Sequence, residues 1–174
     1  MRSHLILALV TLLAGCANYV EPLVGSSAKM RFVSLPGNAT EIHEIEDQRC
    51  PGTLIAKLGL SVKDGTNQGR SLRMPLQESV PRAAATELNV RAARPLAVHF
   101  KAAPGRGPQG AVWSYGACNK SFVITPKQDE LYEAQLEQHA DGCQLNLFRL
   151  VRDKDGSYAR QLERNVQALK VQCN

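Results

Sequence analysis

At 174 residues and 44% hydrophobic content, the chain has the size of one domain with a sizeable core rather than of several. Its formal charge of +5 is a modest basic bias, and aromatic residues make up only 5%. That composition lacks the basic and aromatic stripe on which single-stranded nucleic acids are bound, so no nucleic acid is expected as a partner.

Met1-Arg2 gives a short cationic start, and residues 4–13 form an apolar run too short to span a bilayer comfortably as a helix. The run ends in Leu13-Ala14-Gly15-Cys16, two small residues followed by a cysteine. This stretch resembles the lipobox of bacterial lipoproteins. The resemblance implies cleavage before Cys16, a diacylglyceryl group on its thiol and acylation of the new amine. Ala17 rather than Asp in the next position implies sorting to the outer membrane, facing the periplasm. Each buried methylene of an acyl chain contributes about 0.8 kcal/mol, so an anchor of several chains is permanent. Residues 1–15 are thus expected to be a signal peptide. Residues 16–28, rich in Pro, Gly and Ser, are expected to be a lipidated tether, and residues 29–174 a folded domain.

Residues 29–35 alternate around Met30 and Phe32, and Pro36-Gly37-Asn38 turns the chain. In residues 40–47 the apolar positions are Ile42 and Ile45, a spacing of three that suggests a short surface helix, although two strand residues pointing inward give a similar pattern. Residues 53–62 read as the cleanest strand, with Leu54, Ala56, Leu58, Leu60 and Val62 on its inner face. After a turn-rich loop at 63–69, residues 71–76 read as a brief strand with Leu72, Met74 and Leu76 in phase. A helical turn near Pro81 leads to strands at 87–92 and 96–101. Residues 102–110 are a Pro- and Gly-rich loop, and 112–125 a long strand carrying Cys118, Phe122 and Ile124 on one face. Residues 131–138 return with Tyr132, Ala134 and Leu136 in phase, followed by strands at 143–151, 158–162 and 166–173. About eight short strands, separated by frequent turn signals, predict an all-β fold, a single antiparallel sandwich of immunoglobulin-like or transthyretin-like kind.

Of five cysteines, four remain beyond Cys16, an even number that suits two disulfides in an oxidising compartment. Cys118 and Cys143 bracket one predicted hairpin, and Cys50 with Cys173 would tie the last strand to an early part of the sandwich. No two of the four have the close spacing of a zinc site, and neither a metal nor a cofactor is expected. His43, His99 and His139 show no ligand spacing and read as solvated surface residues, with His99 on the outward phase of its strand. Glu130, Glu133 and Glu137 read as a solvated face. Asp153-Lys154-Asp155-Gly156 reads as a hairpin turn, because its acids lack the rest of a calcium loop. No serine lies in a nucleophile motif, and the chain is not expected to be an enzyme.

The uneven feature is charge. Between Gly69 and Gly107 seven bases face two acids, and six of the seven are arginines. Arg70, Arg73, Arg91, Arg94 and Arg106 are therefore candidates for contacting an anionic partner, because a guanidinium pairs in two-pronged fashion with carboxylate or phosphate. The mature domain also resembles the small cysteine-bearing β-sandwich lipoproteins of Gram-negative bacteria. That likeness implies a binding or structural accessory of the cell envelope, docking an envelope protein or an anionic envelope polymer. An inhibitor or immunity protein that inserts the loop at 104–110 into a hydrolase cleft is the alternative, and an envelope enzyme the third.

Overall fold

The alternation around Met30 and Phe32 becomes β1, Ser27–Leu35, the strand on which the fold is centred. The structure, a computed structural model, describes residues 19–22, 26–46, 52–76, 80–106 and 114–169. Its further strands are β2 (Thr40–Glu44), β3 (Thr53–Leu58), β4 (Ala85–Arg91), β5 (Leu96–Ala102), β6 (Gly105–Arg106) and β7 (Ser114–Tyr115). Then come β8 (Cys118–Ile124), β9 (Leu131–His139), β10 (Gly142–Arg152), β11 (Tyr158–Leu162) and β12 (Gln167–Ala168). The described residues hold one 3-10 turn, Arg82–Ala84, and no α-helix.

Ten strands form two five-stranded sheets, a first ordered β11-β10-β9-β1-β4 and a second ordered β12-β8-β5-β2-β3, while β6 and β7 make a small ribbon. The pairing is antiparallel except between β1 and β9, which run parallel, so the expectation of a wholly antiparallel sandwich is corrected at that pair. The inner faces supply the core: Met30, Phe32, Leu88, Val90, Ala134 and Leu136 from one sheet, Ile42, Ala56, Leu58, Val98 and Phe100 from the other. Phe32, Phe100 and Phe122 form a chain through it, with ring centroids 6.1 and 6.4 Å apart. Burying a side chain of this size contributes about 1.5–3 kcal/mol.

Several expected elements differ. Residues 40–47 do not form a helix. Thr40–Glu44 is a strand hydrogen-bonded on both sides, to β3 and to β5, with an irregularity opposite Ile42 and His43 that leaves Ile55 of β3 without a register partner; Ile45, just past the strand, is buried as well. Two apolar residues at a spacing of three thus belong to a strand and the residue after it, and long-range pairing overrides the local pattern. The strand at 53–62 ends at Leu58. Gly59 follows at φ +142°, and a Cβ there would lie 2.9 Å from the Ala39 Cα, so the chain turns away and leaves Leu60 61% exposed. Its core set is Ile55, Ala56 and Leu58, and Leu54 is only partly buried. Residues 71–76 form no strand, since Arg73 and Leu76 both adopt positive φ. The strand expected at 112–125 is divided into β7 and β8. The last strand reduces, within the described residues, to Gln167–Ala168.

The long connection from β3 to β4 closes both sheet edges that it passes. Along β3, Lys57 N donates to Thr66 O at 2.9 Å and Asn67 Nδ2 to Ile55 O at 2.7 Å. Along β4, Gly69 N donates to Ala85 O and Glu87 N to Arg70 O. The segment expected to be a free tether continues that cover: Tyr19 Oη donates to Asn89 O at 2.9 Å, and Asn89 N to Glu21 Oε2 at 3.2 Å. Along β3 and β4, backbone groups that would invite another chain to pair are thus occupied by the protein itself.

Candidate functional site

The outer face of the first sheet carries charge where a sheet face normally carries either solvent or apolar side chains. Arg31 of β1 stands opposite Glu87 of β4 and Glu133 of β9 in one register row. Arg31 and Glu133 are 0% exposed and Glu87 1%. The Arg31 guanidinium donates from Nε and Nη2 to Glu87 Oε1, at 2.9 and 2.8 Å, and from Nη1 to Glu133 Oε2 at 2.7 Å. Nη2 donates further to the carbonyls of Met74 and Pro75, at 2.9 and 2.8 Å. Burying each ion costs several kcal/mol of lost hydration, which only close, complete pairing offsets.

What covers these charges is residues 70–76, a strap of irregular chain laid over the sheet. Glu87 Oε2 accepts from the backbone N–H of Leu72 (2.5 Å) and Met74 (3.1 Å) and from the Ser71 hydroxyl (3.1 Å). On the far side Arg160 of β11 donates through Nε to Glu133 Oε1 at 2.7 Å and through Nη2 to Leu76 O at 3.1 Å. The strap therefore satisfies its own polar backbone on the side chains it buries. Arg73 at φ 58° and Leu76 at φ 63° sit in the left-handed region, a cost that these charge-assisted bonds hold in place. The expected solvated face of Glu130, Glu133 and Glu137 is thus corrected: Glu133 is fully buried by the strap and its ion partners, while Glu130 and Glu137 remain partly exposed.

Beside the strap lies a cleft of about 600 Å³ on the same outer face, bordered by Lys29, Arg73, Leu150, Arg152, Tyr158 and Asp129. Lys29, Arg73 and Arg152 are exposed. At its rim Glu130 contacts Arg149 at 3.5 Å and accepts the Tyr132 hydroxyl at 2.7 Å. Burial, together with the Glu130 carboxylate, pushes the Tyr132 phenol up to about 12. Tyr132 Oη also accepts from Lys127 N, fixing the turn that carries Asp129 and Glu130.

The second sheet's outer face holds a different arrangement. His43 and His99 are register partners on β2 and β5, and are 7% and 2% exposed. Neither is a solvated surface residue, which corrects the reading drawn from their phase; His139 alone of the three is exposed. His99 Nδ1 bonds Ser121 Oγ at 2.8 Å, and His43 Nε2 lies 3.7 Å from Glu41 Oε2. The Nε2 atoms of both rings are buried without a hydrogen-bond partner. Burial, with the nearby His43 and Lys101, lowers the His99 pKa. Among the described residues no group of three or more His, Cys, Asp or Glu is placed to hold a metal ion.

The arginine candidates are dispersed. Arg70 pairs with Glu21 on the β4 edge. Arg73 is on the strap, and Arg91 and Arg94 flank the exit from β4 at the end where β5 begins. Arg106 on β6 follows the other end of β5, seven residues of strand away, about 20 Å. No single surface therefore contains all five. Sequence reasoning missed Arg31, whose position on a strand between apolar neighbours (Met30, Phe32) was the available signal, and Lys29 and Arg152, which join Arg73 at the cleft.

Cys118 and Cys143 are disulfide-bonded, with a Cα–Cα distance of 6.2 Å, linking β8 of the second sheet to β10 of the first. Cys16, Cys50 and Cys173, and with them the lipid anchor and the second expected disulfide, lie outside the described residues. No family model, curated protein or solved structure matches the chain.

Proposed function

We propose that the protein is a lipid-anchored binding or structural accessory of the cell envelope, held at Cys16 to the outer membrane on its periplasmic face. The observation that carries this reading is the Cys118–Cys143 bond between the two sheets, because such a bond persists in an oxidising compartment. Leu13-Ala14-Gly15-Cys16 supports the same compartment independently. We read the sandwich as immunoglobulin-like or transthyretin-like, a scaffold that presents loops and faces to a partner; this rests on architecture alone. A binding role is favoured over catalysis because the most buried charges, Arg31, Glu87 and Glu133, are consumed by one another and by the strap. The partner is an envelope protein or an anionic envelope polymer.

Replacing Cys16 by Ser tests the anchor. The expected result is loss of membrane retention, or an unprocessed chain, together with a mass lacking the acyl groups. Unchanged fractionation and an unchanged mass would overturn the reading.

A further inference from the structure

The cleft beside the strap has cations to spare. With Glu130 assigned to Arg149, the exposed Lys29, Arg73 and Arg152 face one further acid at the cleft, Asp129. Lys29 and Arg73 make no side-chain ion pair among the described residues, and Arg152 makes only a 3.4 Å hydrogen bond from Nε to Gly156 O. The position of Arg73 is also fixed from beneath. Its backbone is held at φ 58°, between Leu72 and Met74 whose N–H groups bond Glu87, so the side chain is borne by a braced segment rather than a loose loop. Preorganised cations around a concavity of about 600 Å³ are what binding a small anion requires.

Where the cleft lies narrows the choice of anion. Lys29 of β1 is the register partner of Asn89, and Asn89 is the residue to which Tyr19 and Glu21 are bonded. Tyr19 is three residues from Cys16, a length of chain that spans at most about 11 Å. An acyl anchor on Cys16 would thus hold this end of the sandwich close to the bilayer, with the cleft only a few strands from the point of attachment. We propose that Lys29, Arg73 and Arg152 bind the phosphate of an anionic membrane lipid, so that the domain rests on the surface to which it is tethered. The assignment of the lipid as the source of the phosphate rests on the proposed anchor; the cleft's affinity for phosphate does not.

The test uses the full-length protein in a neutral detergent, titrated with short-chain phosphatidylglycerol, with short-chain phosphatidylcholine and with inorganic phosphate. Tighter binding of phosphatidylglycerol than of either comparator is expected. The combined variant Lys29→Gln, Arg73→Gln and Arg152→Gln should weaken it by about fivefold per charge removed. A variant with Lys63→Gln, Arg82→Gln and Lys101→Gln removes the same charge elsewhere and should leave binding unchanged, and denaturation midpoints of both variants report whether they fold. Equal weakening by both folded variants would overturn the cleft. Inorganic phosphate binding as tightly as phosphatidylglycerol would overturn the lipid assignment. The mass of the membrane-extracted protein reports acylation separately, so loss of the anchor and loss of the cleft are told apart.

Discussion

The two outer faces of this sandwich bury polar side chains in opposite ways. On the first sheet, Arg31, Glu87 and Glu133 are charged, almost wholly inaccessible and bonded to each other and to the strap at 2.5 to 3.1 Å. On the second, His43 and His99 are nearly as buried, but each keeps an unbonded Nε2, and burial depresses the His99 pKa. Close, charge-assisted partners offset the cost of burying the first set, whereas burial of the His99 ring with an unbonded nitrogen disfavours its protonated form. The first arrangement locks a covering segment in place. The second leaves His99 sensitive to acid.

The largest effect should follow from breaking the lattice at its centre. Arg31→Met leaves Glu87 buried without a cation and Glu133 with Arg160 alone, and should cost about 3–5 kcal/mol, measured by chemical denaturation. At the rim, Arg160→Gln should cost only about 1 kcal/mol, because the Arg160 side chain is 32% exposed and water takes over part of its role. Similar costs for the two would mean that burial is not what gives the lattice its weight.

The smallest effect belongs to the histidines. The ring of His99 faces His43 and Glu41 from β2, Lys101 from its own strand and Ser121 from β8. Its folded pKa lies below the ordinary 6.5, so above that pH both folded and unfolded states are neutral and no difference exists. Below it the unfolded chain takes up a proton that the folded ring resists, and stability falls as the pH drops. His99→Gln should flatten this acid limb below about pH 6.5 while leaving stability at pH 8 within about 1 kcal/mol. An acid limb that is identical in the variant would remove His99 as its cause.

How much of this was legible in the sequence differs between the two faces and the core. The inner faces of β8 and β9 were readable because alternation over Cys118, Phe122 and Ile124, and over Tyr132, Ala134 and Leu136, maps directly onto burial. The outer faces were not. Polarity at Glu87, Glu133, His43 and His99 reads as solvent exposure when a strand is considered alone, whereas here a distant covering segment or a cross-strand partner decides it. The strap reads as a strand in sequence because Leu72, Met74 and Leu76 alternate. Their spacing is real, but the backbone bends at Arg73 and Leu76 to place carbonyls on Arg31 and Arg160. The Cys118–Cys143 pairing expected from the sequence is present, but the hairpin it was drawn from is not: β8 and β9 lie in different sheets, and the bond joins β8 to β10 across the sandwich.

Amide hydrogen exchange at Leu72 and Met74 tests most directly whether the buried lattice holds the strap. Both N–H groups donate to Glu87, so in the native protein they should exchange as slowly as amides of the neighbouring strand β4, and Glu87→Gln should speed them while β4 stays protected. Fast exchange of both amides in the unaltered protein, or no change on substitution, would contradict the account.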